Sequence, residues 1–481
     1  SQLESYTKYE HELKQLAHAA AVFWNQRAKK RGAFEEYYPW EQGYPPLAFS
    51  SLAMAKLALD EVIHPDEIAE GLKKAAKQLQ RRFESQAGNQ QMAGLAALAV
   101  IRKITPELVK EEKYFFLKKQ TLALQDKEGW YTEYDGPDLG YLSVTLDCLW
   151  DLYDVTGDTD YLVSAEKALG FMHGFVARRF EGAGMHNARN TDYIVPYGIC
   201  RFLGHEDAKT REKSETIVAS LLNRMEDEDH FFHAIDDRYW SHYIGHSVVR
   251  AELFLEEKIN PKTFGGAEKD GKSAVNAGDK AEKVGKAGYI FRDLQNSNKH
   301  ILITAKKGGV FSLYNQTGTL MSDYGWVAIS GKKQYVNHWW SKEWDVQEEE
   351  SSVVISGSMF PHKEKVSTPF LHFGLRVVSF VFGSALTRLL RNVLIFKSGS
   401  SGIHFRRRID LSADSVIVTD TIEGISKKVM LVKAPRASKR HVASADSWHR
   451  EDLALEKMAE PMETIVRDDN SVVITRIINL P

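Results

Sequence analysis

The chain has 481 residues, more than one hydrophobic core ordinarily holds, so two or three domains are expected. Hydrophobic residues make up 43% and charged residues 27%, and 63 Lys and Arg against 65 Asp and Glu leave a formal charge of -2, a balance that excludes nucleic acid as the main partner. No apolar run approaches a membrane span, and Ser1 opens into a polar helix without a visible signal peptide, although a start without Met leaves room for one already removed. Cys148 and Cys200 lie in apolar helical patterns and read as buried thiols rather than a disulfide. The 10 Trp, 19 Tyr and 23 Phe suit either stacking on sugar rings or large cores.

Over residues 1–257 the apolar positions recur at helical spacing, as in Leu13, Leu16, Ala20, Phe23 and Trp24. Polar and aromatic loops return at roughly fifty-residue intervals, the length of a helical hairpin. They are Glu35 to Pro46 with Trp40, Glu84 to Gln91, Gly129 to Tyr141 with Tyr134, Gly184 to Tyr197, and Ala234 to Tyr243. Each precedes a helix of small and apolar residues, such as Ser51 to Leu59 or Ser143 to Tyr153. More polar helices, Pro65 to Ser85 and Glu206 to Asp227, run between. An inner and an outer ring require that alternation, so the hairpins are expected to close into an (α/α) toroid with all the loops around one cleft at one end. The alternative is an open solenoid that binds protein.

Residues 258–288 are rich in Gly and Lys and read as a linker or mobile loop. Over 289–481 the period changes to two, in Ile301 to Thr304, Val310 to Tyr314, Val353 to Ser356, Val393 to Phe396 and Val416 to Thr419. An antiparallel β-sandwich is expected there, which makes the chain an α+β multidomain protein.

The loop from Gly184 to Tyr197 concentrates chemistry in one short turn: His186, Asn187, Arg189, Asn190, Asp192 and Tyr193. His186 or Asn187 could neutralise a carboxylate or stabilise an enolate-like charge, and Arg189 could pair with an anionic sugar. The plainer reading is that Asn190 or Asp192 caps a helix beginning near Tyr193. One repeat later, Asp236 to His246 holds Arg238, Tyr239, His242 and Tyr243. A tyrosine in a cationic pocket can act as base and then as acid, as β-elimination of a uronic-acid glycoside demands. For His242 and His246 the competing reading is a helix-surface or satisfied core histidine.

Carboxylates offer a second mechanism. Glu36, Glu41, Glu133, Asp135, Asp138, Asp192, Asp236 and Asp237 all lie in the loops, and two of them across a cleft could hydrolyse a glycoside. Turns and helix caps favour acidic residues too, which makes each one separately more plausible as structure. In the β half, His300, Asp323, His338, His362 and His372 are spaced too irregularly to read as a metal site.

The helical half followed by a β-sandwich, with Gly309-Val310-Phe311-Ser312-Leu313-Tyr314 and then Gly318 to Gly325, resembles the heparinase II/III-like polysaccharide lyases over most of the chain. The resemblance implies a lyase on uronic-acid-containing, acidic polysaccharides or oligosaccharides such as glycosaminoglycans, and it favours a periplasmic or secreted location. It places the carboxylate-neutralising role on Asn187 or His186 and the acid/base role on Tyr243 or Tyr239. Arg189, Asn190, Trp40, Tyr134, Arg238, His242 and His246 fall around them as substrate-binding residues. The family's His-x-His-x-Asp run would fall near Ile303, Ala305 and Lys307, which cannot form it. Asp323 fits the place of a later metal-ligand Asp, but without those partners no cofactor is expected. A glycoside hydrolase, or a carbohydrate-binding protein that has lost its activity, remains the alternative.

Overall fold

The computed structural model describes residues 7–31, 34, 42–176, 184–191, 193–225, 244–258, 285–294, 299–315, 318–362, 368–382, 401–412, 414–434 and 462–480. Two kinds of helix alternate along the first half, and their side chains decide their places. Helices α2 (Tyr44–Leu59), α4 (Gly88–Ile104) and α6 (Leu139–Thr156) are rich in Ala, Gly, Ser and Leu. α4 is buried from Gly88 to Ile101 apart from Gln90, as a helix packed on all sides must be. Helices α1 (Glu10–Arg31), α3 (Ala69–Leu79), α5 (Glu111–Leu122), α7 (Thr159–Val176) and α9 (Ala208–Met225) stand outside. In α3 the buried positions are Gly71, Leu72, Ala75, Ala76 and Leu79, a single stripe at helical spacing. The inner series runs α2, α4, α6, the one-turn α8 (Tyr197–Cys200) and α10 (Gly245–Lys258), each against the next.

Charge joins the first, middle and last members of that series. Asp151 of α6 accepts hydrogen bonds from Lys56 Nζ of α2 and Arg250 Nη2 of α10, both at 2.6 Å. Burial would raise the Asp151 pKa, and Arg250 and Lys56 more than offset it, so the carboxylate stays ionised. Both cysteines are buried free thiols, as the apolar pattern around them suggests.

The second half is antiparallel at every described pairing. Strands β1 (Tyr289–Leu294), β2 (Lys299–Thr304), β3 (Val310–Asn315) and β4 (Gly318–Asp323) form one sheet in chain order. A second, six-stranded sheet contains β7 (Asp345–Glu348), β8 (Ser352–Ser358), β10 (His404–Leu411), β11 (Ser415–Glu423), β13 (Met462–Arg467) and β14 (Ser471–Asn479), in the order β13-β14-β11-β10-β8-β7. The strands β5 (Trp326–Ser330), β6 (Lys333–Val336), β9 (Phe360–His362) and β12 (Met430–Lys433) make a third, ordered β12-β5-β6-β9. Their inward residues share one core, in which Ile301, Phe311 and Leu313 meet Ile355, Phe405, Val418 and Ile474. The expected strand at Val393 to Phe396 lies outside the described residues. One departure from an all-β half is α11 (Pro369–Phe382), a helix formed by a run that is apolar without alternation.

β1 to β3 are buried on both faces. Ile290, Ile301, Ile303, Phe311 and Leu313 point into the sandwich, whereas Tyr289, Leu302 and Tyr314 join the core of the toroid. Phe175 of α7 packs edge-on against Tyr289 and Phe291, with ring centroids 4.7 and 5.2 Å apart. The uninterrupted run Ile301-Leu302-Ile303 follows from this, since a strand covered on both sides needs no polar face.

Asp323 sits inside the sandwich in a buried network of four charges. Arg407 Nε and Nη2 donate to the two oxygens of Asp420 at 2.7 and 2.8 Å, and its Nη1 lies 2.9 Å from Asp323 Oδ1. Arg476 donates to Asp323 Oδ2 and, at 2.6 Å, to Asp420 Oδ2, where Trp326 Nε1 also donates at 2.7 Å. Burial would raise the Asp323 pKa, but Arg407 and Arg476 hold it far below the carboxylate range. The carboxylate considered for a metal thus has guanidinium groups on both oxygens, and the residues here do not fit a metal ion. Among the described residues no three His, Cys, Asp or Glu side chains converge as metal ligands do. Removing one member of a buried charge network strands the others. Asp420→Ala is therefore expected to lower the unfolding free energy by about 3–5 kcal/mol. Thr419→Ala on the opposite face should cost far less, and urea titration of both variants checks the difference.

Candidate functional site at the toroid rim

Backbone hydrogen bonds stitch the loops at one end of the toroid to one another. Gly88 N donates to Thr132 O at 2.9 Å and Tyr134 N to Gln86 O at 2.6 Å, which joins the 84–91 loop to the 129–141 loop. Ala188 N donates to Pro137 O at 2.8 Å, joining that loop to the next. Arg82 Nη1 reaches back to Gln42 O at 2.9 Å. These four loops therefore share one end, as the repeat spacing requires. Asp138 is the N-cap of α6, accepting from Tyr141 N at 3.2 Å, and it also takes Arg189 N at 3.1 Å and the Thr191 hydroxyl. One rim carboxylate is thus structural, since a buried acid with three donors on it is a clamp between loops.

The β-sandwich docks on the same end. Trp340 Nε1 donates to Asp135 O at 3.3 Å, and Lys342 pairs with the Asp135 carboxylate at 3.0 Å. A methyl on Gly136 would overlap the Trp340 indole, so the loop must present glycine there. Lys307, fully buried, donates to Met185 O at 2.6 Å and to Asn190 Oδ1. Tyr289 OH donates to His186 O at 3.0 Å.

His186 is placed differently from its expected role at the cleft. It is buried between the domains, with Nδ1 2.7 Å from Thr304 Oγ1 and Nε2 2.8 Å from Ser312 Oγ. Burial, and then the Lys307 ammonium, lower its pKa to about 3, so the ring is neutral and pins the β-sheet to the rim loop. Asn187 is fully buried as well. Its Oδ1 accepts from Leu139 N at 3.1 Å and its Nδ2 donates to Thr191 O at 2.7 Å, so the amide shapes its own loop and the start of α6. No helix begins near Tyr193: α8 starts at Tyr197 after Pro196, and Asn190 is a left-handed residue with φ 61° rather than a cap.

Arg189 and Tyr134 do come together. The guanidinium lies 4.4 Å from the centre of the Tyr134 ring, and Gln90 Nε2 donates to the Tyr134 hydroxyl at 3.3 Å. Arg189 is buried, and its Nε finds no hydrogen-bond partner among the described residues. Glu133 is also buried; its Oε1 accepts from Asn89 N at 2.7 Å, capping α4 from the neighbouring hairpin, while its Oε2 finds no partner among the described residues. Burial pushes the Glu133 carboxyl well above the usual range, and the Arg189 charge does not reverse this. The backbone is strained at the same place, with Tyr134 at φ 55° and Asp135 at φ 78°. Gln90 falls within the Glu84 to Gln91 loop expected from the sequence, where nothing sets it apart from its neighbours; in the structure it stands in the first turn of α4.

His246 lies on the first turn of α10 with its side chain exposed. Trp40, Asp192, Arg238, Tyr239, His242 and Tyr243 lie outside the described residues. Ile244, next after Tyr243, packs with Tyr193 and Val195, and Tyr197 N donates to Ser247 Oγ at 3.0 Å. The 184–197 loop and the start of α10 are therefore neighbours.

Comparison with solved structures finds similarity to a Streptomyces coelicolor A3 chondroitin AC lyase in complex with chondroitin sulphate, at 8% identity and TM-score 0.43, covering 93% of this chain and 66% of that one. Heparinase III is similar at 12% identity and TM-score 0.39, with 91% and 69% covered. A heparan sulfate lyase mutant from Pedobacter heparinus follows at 10% identity and TM-score 0.26, with 100% and 89% covered. No family model matches the sequence, and none of the curated proteins does.

The burial of His186 has a consequence for acid stability. Its folded pKa, about 3, lies below the unfolded value near 6.5, so its contribution is fully present above pH 6.5 and is lost as the pH falls towards 3. Thermal unfolding across that window should show the loss, roughly 5 kcal/mol at most from this group. His186→Gln should have lower stability at pH 7 and a flatter acid limb.

Proposed function

We propose that the protein is a lyase that cleaves acidic, uronic-acid-containing polysaccharides or oligosaccharides by β-elimination at the toroid rim. The observation that carries this reading is Arg189, a buried guanidinium stacked on Tyr134 whose Nε finds no partner among the described residues. A buried guanidinium N–H left unpaired is costly, and an anionic ligand group repays that cost with a charge-assisted hydrogen bond. The resemblance to the heparinase II/III-like lyases supports the same reading.

In the proposed reaction Arg189 holds the uronate carboxylate, which makes the adjacent C5 proton more acidic. Tyr243, as phenolate, takes that proton; the electron pair forms the C4–C5 double bond and the C4–O bond breaks. The Tyr243 hydroxyl then returns the proton to the leaving oxygen, so no water is consumed. Support for Tyr243 comes from Ile244, which packs beside Tyr193 and Val195 and so brings the start of α10 next to the loop that carries Arg189.

Incubation with a panel of acidic glycans should produce the ultraviolet absorbance of the conjugated product. Tyr243→Phe removes only a hydroxyl and should lower turnover by about two to four orders of magnitude with substrate affinity little changed. Near-normal turnover in that variant, with a large loss in Tyr239→Phe, would move the role to Tyr239. A second reading is favoured by Glu133, whose raised pKa suits a general acid for glycoside hydrolysis. Bond cleavage without absorbance, abolished in Glu133→Gln, would select it.

A further inference from the structure

Helix α11 reverses the usual order of a surface helix. Thr368 caps it, its hydroxyl accepting from Leu371 N at 3.2 Å, and Pro369 stands at the first helical position, so the sequence specifies where it starts. Phe370, Phe373, Val377 and Val381 follow at i, i+3, i+7 and i+11 and therefore share one face. That face is turned outward. Its four side chains are 89%, 69%, 51% and 69% exposed, and none of them joins an apolar core among the described residues. His372, Arg376 and Ser379 form a separate polar stripe, and Ser379 is the one buried residue of the helix, donating to the carbonyls of Leu375 and Arg376. In the toroid, α3 does the opposite and buries Leu72 and Leu79. An exposed apolar face of this kind marks an interaction surface.

The charge around the helix selects what covers it. From Val366 to Ile409 the sequence has no Asp or Glu, although the whole chain has 65 in 481 residues, and Arg376, Arg388, Arg391 and Lys397 fall in the same run. An apolar face within a basic, acid-free stretch is complementary to a partner that is apolar and anionic at once. We infer that α11 docks on a lipid membrane surface carrying anionic headgroups, with Phe370, Phe373, Val377 and Val381 at the acyl boundary and Arg376 at the level of the phosphates. The helix lies in that surface and does not cross it. Its 14 residues extend about 21 Å against a hydrocarbon core of roughly 30 Å, and no described helix is long and apolar enough to span a membrane. A nucleic acid would leave the four apolar side chains without a partner. A second copy of the chain would bring the same acid-free stretch against itself, cation to cation.

Cosedimentation of the full chain with vesicles tests the inference, using phosphatidylcholine alone and phosphatidylcholine mixed in equal parts with phosphatidylglycerol. The protein should bind the mixed vesicles, bind the neutral ones far less, and dissociate as salt is added. Phe370→Ser combined with Phe373→Ser should weaken binding by about tenfold or more. Arg376→Glu should weaken it severalfold at low salt and by less at high salt. All these side chains are exposed, so melting temperatures should stay close to that of the wild-type chain. Failure of the wild-type chain to bind the mixed vesicles would overturn the inference, and so would unchanged binding in the double phenylalanine variant. Equal binding to both kinds of vesicle would remove the anionic surface as the partner. A wild-type dimer in sedimentation that the double variant makes monomeric, without vesicle binding, would assign the face to a second copy instead. None of these measurements involves glycan cleavage, so the docking surface and the lyase reading fail separately.

Discussion

The arrangement depends on a sheet whose strands bury apolar side chains on both faces. β1 to β3 give Ile290, Ile301, Ile303, Phe311 and Leu313 to the sandwich and Tyr289, Leu302 and Tyr314 to the toroid, so the two halves share apolar surface instead of touching through a polar seam. Hydrophobic burial supplies attraction without direction. The direction comes from the polar groups set within it: His186 between Thr304 and Ser312, Lys307 on Met185 and Asn190, and Trp340 on Asp135. Each of these ties a β residue to the 129–141 or 184–191 loop. The loops that carry the candidate site are therefore held from above by the sandwich and from below by the inner helices.

That double constraint explains how strained and unsatisfied groups persist at the rim. Non-glycine residues in left-handed geometry and buried polar atoms without partners each cost free energy, and they survive only where the surroundings over-determine them. Tyr134, Asp135 and Asn190 are held in this way by interdomain contacts and by the stitching between hairpins. The same reasoning separates structure from candidate chemistry. Asp138, Asn187 and His186 have the hydrogen bonds that burial demands and shape the loop, whereas Glu133 and Arg189 each keep a buried atom with no partner among the described residues.

In the sandwich, charge replaces what the lyase resemblance would assign to a metal. Asp323 lies where that resemblance puts a ligand, yet Arg407 and Arg476 bind it and Asp420 completes the network. Lys307, near the place of the missing His-x-His-x-Asp run, reaches across to the toroid with its ammonium. Asp323 is thus neutralised by two guanidinium groups of the chain, and Lys307 supplies a fixed cation at the contact between the two halves.

Much of this was legible from the residues alone. Helical spacing, small residues in alternate helices and loops at regular intervals determine a ring of hairpins, because only one packing buries α4 on all sides and α3 on one. Alternation determines the sheets, and Arg189 and Tyr134 stand out separately as loop residues, while their stacking on one another appears only in the fold. What only the tertiary structure decided is which polar groups are already satisfied. His186 and Asn187 look as reactive as Arg189 in one dimension, and the helix expected at Tyr193 begins only at Tyr197. Thr304 and Ser312 lie more than a hundred residues from His186 in sequence, and a hydrogen bond across that distance leaves no local pattern. Hydrogen bonding is a property of pairs brought together by burial, whereas periodicity is a property of the chain itself.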